Sequence, residues 1–389
     1  MTVAIGPPDS ADLADAAADW AAAYVHIPFC ARLCPYCDFA VVAGRDEATH
    51  RYVSALRKEI AMEPEWRPLR AVYVGGGTPS RLVPEQLGSV VGDLESRFGL
   101  ADGAEVSLEA NPEDWNFALA DGLRQAGYER VSFGVQSFDP AVLKSLGRVH
   151  TPDQAATAVS VARQTGFRSI NIDLIFGTPG ETNVSWRDTV DRALALEPDH
   201  LSLYALTVER GTALSRAISA GAPAPDPDAQ ADAYETAEAL CRTAGLVHYE
   251  VSNWARPDHG CVYNLITWAQ GEYVAFGIGA HGHRQGIRPR NLRRLDAYLD
   301  RVEGGLSAEQ GAETLDPWGR EVERLLLGLR RIAGVVPGRG GEALLASLRG
   351  ERLREAGVLG LAAGRMVVLR PLLGDEVGRA VLALQPGER

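Results

Sequence analysis

The stretch "HIPFCARLCPYCDF", residues 26–39, follows an apolar run and sets Cys30, Cys34 and Cys37 at C-x3-C-x2-C spacing. Only Cys241 and Cys261 remain elsewhere in the chain. An odd number of cysteines with three clustered is a poor disulfide framework and points to a metal centre in a reducing compartment. A structural zinc site is one reading; zinc in that role takes four ligands, and His26, Cys241 or Cys261 could supply the fourth. A cubane [4Fe–4S] cluster is the other. Such a cluster is usually held by four thiolates, so three leave one iron free to chelate an amine and a carboxylate of a small molecule. Tyr36, inside the motif, would shield the cluster from water.

Working outward, strand-like runs occupy 23–29, 71–75, 105–110, 130–135, 170–177 and 201–208, with a shorter one at 247–254. Amphipathic segments at 46–62, 83–98, 114–126, 152–166, 182–197 and 228–244 fall between them. This alternation predicts an α/β protein with a parallel sheet and crossover helices. The strands read as near-continuous apolar runs, as when both faces are covered. An open doubly wound sheet fits the alternation as well as a barrel does. Past about residue 310 the alternation stops. An amphipathic helix at 320–331, a second at 341–356 and the strand "RMVVLRP" suggest a small helical unit with a two-stranded wing over 311–389. Residues 1–20 read as a mobile Ala/Asp-rich tail, leaving 21–310 for the main domain.

The net charge of −12, without a Lys/Arg-rich run, argues against a nucleic-acid partner. The N-terminus lacks the basic and apolar regions of a signal peptide. No stretch reaches the roughly 20 apolar residues of a membrane span. The expected location is therefore cytoplasmic.

Polar residues gather at strand ends. "YVGGGTP" (73–79) lets the backbone approach a ligand closely, yet matches neither phosphate-loop pattern. Glu109, Gln136 and Asp173 end or interrupt three successive apolar strands. One such residue could be a satisfied core group; three on one face favour a ligand site.

Taken together, "YVHIPFCARLCPYCDF", "VYVGGGTPS", "SLEANPE", "RVSFGVQSFD", "LGRVH" and "INIDLIFGTPGET" resemble the radical S-adenosylmethionine (radical SAM) superfamily. Within it they resemble the oxygen-independent coproporphyrinogen III oxidase-like family, which includes the HemW haem chaperones. The resemblance implies a partial (β/α)6-type parallel barrel with a small C-terminal helical, winged appendage. It implies that Cys30, Cys34 and Cys37 ligate the [4Fe–4S] cluster, with Tyr24 and Tyr36 against the cluster and S-adenosylmethionine. Gly76, Gly77 and Thr78 would receive the methionine end and Glu109 the ribose. Gln136, Arg148 and Asp173 would complete the site, with Ala205 at the adenine end. The chemistry implied is one-electron reduction of the sulfonium to methionine and a 5′-deoxyadenosyl radical, the cofactor carrying the difficult step.

The oxidase branch carries an additional cysteine two residues after the third ligand, where this chain has Phe39; the "CDF" ending resembles HemW. That branch implies haem as cargo and respiratory haem proteins at the inner-membrane surface as recipients, and leaves a homodimer open. The alternative is a radical enzyme acting on a tetrapyrrole. The family's H-N-x-x-Y-W motif appears here as "YNLITW" (263–268), with Tyr263 for the His and Thr267 for the Tyr. Cys261, His281 and His283 are then the candidate haem ligands, with His259 nearby, since imidazole and thiolate both bind haem iron.

Overall fold

The structure, a computed structural model, describes residues 15–386. Six strand–helix units make up its main body: β1 (Ala21–Ile27), α1 (Thr49–Met62), β2 (Leu69–Gly76), α2 (Pro84–Phe98), β3 (Leu100–Ala110), α3 (Phe117–Gln125), β4 (Arg130–Gln136), α4 (Pro152–Gln164), β5 (Ser169–Phe176), α5 (Asn183–Ala195), β6 (His200–Ala205) and α6 (Pro227–Thr243). Helix starts are locally encoded. Thr151 and Thr182 each accept the third backbone N–H of their helix, and Asp226 accepts from Asp228 N.

The strands pair in chain order, β1 to β6, every neighbour parallel. A doubly wound sheet reverses its strand order at a switch point. Here the order never reverses, so the winding is that of a barrel. The run 247–254 is not one strand but a tight antiparallel pair, β7 (Val247–Glu250) and β8 (Asn253–Ala255), which adds antiparallel to β6. At the other end β9 (Glu272–Phe276), absent from the sequence reading, lies parallel to β1 with Ala21 opposite Glu272.

The strands are also less apolar than expected. Val131, Phe133 and Val135 of β4, and Ile170, Ile172 and Leu174 of β5, are buried in the main core. Their alternate neighbours Arg130, Ser132, Asn171 and Asp173 line a cavity inside the barrel. Strand side chains alternate faces, so one face is apolar under the helices and the other is a polar lumen.

A second apolar cluster, including Leu325, Leu344, Met366 and Val381, forms the core of the C-terminal region. Its helix starts at Pro317 and ends at Gly328. The helix expected over 341–356 is two, Gly338–Ala346 and Leu348–Glu355. Ser347 is extended between them and its side chain accepts from Gly350 N, so it starts the second helix. Strands Leu359–Ala362 and Arg365–Val368 form an antiparallel wing. Most of the expected tail, residues 1–14, lies outside the described residues. Within 15–20, Ala17 is buried and Asp15 pairs with Arg365 at 2.6 Å, while Ala16, Ala18 and Asp19 are exposed. No helix among the described residues is long and apolar enough to cross a membrane.

Glu59 of α1 ties the far side of the barrel together. It accepts from Gly277 N (2.9 Å), Asn291 Nδ2 (2.6 Å) and Tyr298 Oη (2.6 Å). Burial nonetheless pushes its carboxyl up to about 7. Glu59→Ala strands these donors and is expected to cost about 3 kcal/mol in urea denaturation. The folded state holds a proton on Glu59 that the unfolded chain releases above 4.5, so this group's contribution is full below that pH and is lost as pH rises to about 7. Relative to the wild type, Glu59→Gln should therefore gain stability across that window and show no further change above it.

Candidate functional site

The polar lumen opens at the C-terminal ends of the strands into a cavity of about 430 Å³. Cys30, Cys34 and Cys37 lie at its mouth, on the loop after β1. The "GGG" run explains how that loop comes so close to β2. A Cβ on Gly77 would lie 2.8 Å from Pro28 O and 2.9 Å from Cys30 Sγ; one on Gly75 would lie 2.9 Å from the Glu109 carboxyl. Gly76 has a φ of 112°, and a Cβ there would meet the His26 ring at 2.5 Å. Only glycine leaves room for the cysteine loop and for Glu109.

Hydrogen bonds strap the loop to the strand ends. Thr78 Oγ1 reaches Cys30 Sγ at 3.7 Å and accepts from Asn111 Nδ2 at 3.1 Å. Arg148 Nη2 donates to Asn111 Oδ1 (2.6 Å) and Gly134 O (2.7 Å), and its Nη1 points at Cys34 Sγ at 3.9 Å. Glu109, half-buried and open to the cavity, accepts from Tyr73 Oη at 2.8 Å and Gly76 N at 2.9 Å. Burial pushes its carboxyl up to about 7 despite these donors, and the negative charge of Asp173 adds to the rise. Asp173, also raised by burial, accepts from Ser132 Oγ and Asn171 Nδ2.

Gln136 ends β4 in the left-handed region, φ 67°, beside a register shift against β5. Its Oε1 is buried without a hydrogen-bond partner among the described residues. A left-handed residue with a buried, unpartnered amide oxygen beside a cavity makes Gln136 a candidate ligand contact.

The structure thus brings Cys30, Cys34, Cys37, Tyr36, Gly76, Gly77, Thr78, Glu109, Gln136, Arg148, Asp173 and Ala205 to one cavity. Tyr24 is the exception. Its ring lies outside the lining, stacked with Tyr73 and Tyr263 at centroid distances of 6.3 and 6.0 Å. The sequence reading missed Tyr73, Asn111, Ser132, Asn171, His200 and Ser202, which also line it. Their signal was present as period-2 polarity, as in "SLEAN" (107–111) and "NID" (171–173).

The donor set suits a cluster better than one ion. Among the described residues no three His, Cys, Asp or Glu side chains converge on a single-metal site. A cubane does not need that convergence, because each thiolate binds a different iron. His26 is no fourth zinc ligand: both ring nitrogens are engaged, by Tyr24 Oη (3.0 Å) and Ala40 O (2.8 Å). Burial pushes the Cys30 thiol up to about 11, so a cationic centre is needed to hold it as thiolate.

The haem candidates are scattered. Cys261 lies buried on the cavity floor with its thiol pushed up to about 12 by burial. His283 is buried, with Nδ1 3.0 Å from Gly271 O, whereas His281 is exposed. Neither histidine lines the cavity.

The radical SAM superfamily model matches residues 24–193. The chain is 40% identical over 371 residues to the heme chaperone HemW of Mycobacterium tuberculosis, covering 92% of this chain and 94% of that one. It is 34% identical over 381 residues to the heme chaperone HemW of Bacillus subtilis, covering 92% and 98%. Among solved structures, the radical SAM enzyme coproporphyrinogen III oxidase (HemN) of Escherichia coli matches with a TM-score of 0.80 over 97% of this chain and 93% of that one. At 22% identity this is a likeness of fold.

Gln136 separates backbone cost from ligand contact. Gln136→Gly relieves a left-handed residue worth about 1–2 kcal/mol and adds about 0.5–1 kcal/mol of unfolded-state entropy, so stability should hold or rise slightly. S-adenosylmethionine affinity, by equilibrium dialysis, should fall about tenfold with the amide gone. Gln136→Val should lower stability as well.

Proposed function

The chain belongs to the radical SAM superfamily and, within it, to the HemW family, and from that premise we propose that it is a haem chaperone with a [4Fe–4S] and S-adenosylmethionine site. The observation that carries the site is the convergence of the three cysteines, the "GGGT" backbone and the Glu109 carboxylate on one cavity. Kinship over almost the full chain with proteins named heme chaperone supports the cargo.

In this reading Cys30, Cys34 and Cys37 hold the cluster, which when bound supplies one electron to a sulfonium. The backbone of Gly76 and Gly77, which lines the cavity, receives the methionine end together with Thr78. Glu109 accepts from the ribose hydroxyls, and its fixation by Tyr73 Oη and Gly76 N keeps its remaining lone pairs on the cavity side. Gln136, Arg148 and Asp173 complete the pocket, with Ala205 at its outer rim. Tyr36 beside the cysteines excludes water. Phe39 occupies the place of the oxidase's additional cysteine and is 62% exposed at the mouth, so this chain presents an apolar ring there instead of a thiol.

For haem, His281 is the strongest of the three candidates, because its imidazole is open to an incoming ligand while Cys261 and His283 are enclosed. Delivery to respiratory haem proteins at a membrane surface rests on the family resemblance alone, and a homodimer stays open.

Anaerobically purified protein should contain about four irons per chain and a sulfur-to-iron charge-transfer band that Cys34→Ala loses. Stoichiometric zinc without iron would refute the cluster. The same sample should bind haem near stoichiometrically and leave coproporphyrinogen III unconverted. His281→Ala should alter the haem spectrum and Cys261→Ala should not. A wild-type protein that binds no haem would overturn the chaperone reading.

A further inference from the structure

Beneath Asp173 a line of hydrogen bonds runs from the cavity to the edge of the sheet. Asn171 Nδ2 is 2.7 Å from Asp173 Oδ1, Asn171 Oδ1 is 2.7 Å from His200 Nδ1, and His200 Nε2 is 2.8 Å from Tyr249 Oη. Asn171 and His200 are buried, 3% and 1% exposed, so the two central members of the line depend on protein partners.

Chemistry fixes the direction of every link. Asp173 offers oxygens to Asn171, so the amide turns its nitrogen to the carboxylate and its oxygen to His200. An amide oxygen only accepts, so the imidazole proton is on Nδ1. Burial holds His200 well below the ordinary imidazole range, so the ring is neutral and its Nε2 has only a lone pair. The Tyr249 hydroxyl must therefore donate to it. Tyr249 belongs to β7, and its carbonyl accepts Ile332 N–H at 3.1 Å, where the C-terminal region joins the sheet. A lumen filled with branched apolar side chains would need no such chain of partners.

We propose that Tyr249, His200 and Asn171 form a one-way hydrogen-bond relay that orients the carboxylate of Asp173 for S-adenosylmethionine, which makes Tyr249 and His200 positioning residues of that site. The inference rests on the reading that Asp173 faces S-adenosylmethionine. Ser202 Oγ also donates to Asn171 Oδ1 at 3.2 Å, and Asn171 Nδ2 also meets Ser132 Oγ at 2.6 Å and Ser202 Oγ at 2.9 Å. Without the relay the amide loses the shorter of its two donors and keeps only the hydroxyl contacts, so the carboxylate, still held by Ser132 Oγ at 2.8 Å, is fixed less tightly.

The test uses the anaerobically reconstituted full-length protein and measures S-adenosylmethionine affinity by equilibrium dialysis. Asp173→Ala and His200→Leu are each expected to weaken binding about tenfold or more, and Tyr249→Phe a few-fold. His200→Asn, whose amide nitrogen stands where Nδ1 stood, should recover most of the loss. The ¹⁵N resonances of His200 in the cluster-free protein, assigned by their absence from His200→Asn, should report the Nδ1–H tautomer. Weak binding by Asp173→Ala with wild-type binding by both His200→Leu and Tyr249→Phe would overturn the relay and leave the Asp173 reading standing. Normal binding by Asp173→Ala would overturn both. An Nε2–H tautomer, or His200→Asn no better than His200→Leu, would also overturn the relay. If His200→Leu does not fold, Tyr249→Phe, which removes a single oxygen, decides the outcome with the tautomer.

Discussion

A carboxylate set inside a barrel must be given donors, and around Glu109 that requirement organises the end of the sheet. Its two oxygens take the Tyr73 hydroxyl and the Gly76 amide, both from β2, so β3 is locked to its neighbour by side chain as well as by ladder. The space it occupies exists because residue 75 has no Cβ. Even so its carboxyl rises to about 7, which says that these donors only partly replace water. An incoming ligand with hydroxyl or cationic groups would complete what the protein leaves unfinished.

The same economy of space couples the cysteine loop to the barrel. Gly77 N donates to Ile27 O at 2.8 Å, so β2 continues past its last strand residue to meet the turn that leads into the loop. Thr78, Asn111 and Arg148 then carry hydrogen bonds from Cys30 around to Cys34. A substitution at any of the three would act on two cysteines at once. The loop is thus held by groups on the segments that follow β2, β3 and β4, and a change in the lumen is felt at the mouth.

Much of this was legible in the sequence for a physical reason. Cysteine spacing, the glycine run, Glu109, Gln136 and Asp173 are residues whose presence in apolar strands is costly without a purpose, so they stand out. Ser132, Asn171, His200 and Ser202 did not, because a small or uncharged polar residue in a strand reads as neutral until its partners across the sheet are known. Strand β9 pairs with β1 over some 250 residues of chain, and nothing local announces that partner. Tyr24 carries the right residue type at the right strand, yet its hydroxyl turns to His26 Nδ1 and its ring stacks behind Tyr73. Side-chain chemistry within one segment marks the haem candidates but says nothing of the direction in which each points. Cys261, at the start of the helix Val262–Trp268, faces inward, and His281, on the turn after β9, faces outward.

The proposed function requires that three thiolates leave one iron open and that this cavity bring S-adenosylmethionine to it. Electron–nuclear double resonance on the reduced cluster, with S-adenosylmethionine labelled by ¹⁵N at the amine and ¹⁷O at the carboxylate, tests it most directly. Resolved hyperfine couplings from both labels, lost in Glu109→Ala at the same ligand concentration, are the expected result. A cluster that shows neither coupling while S-adenosylmethionine is demonstrably bound would contradict the claim.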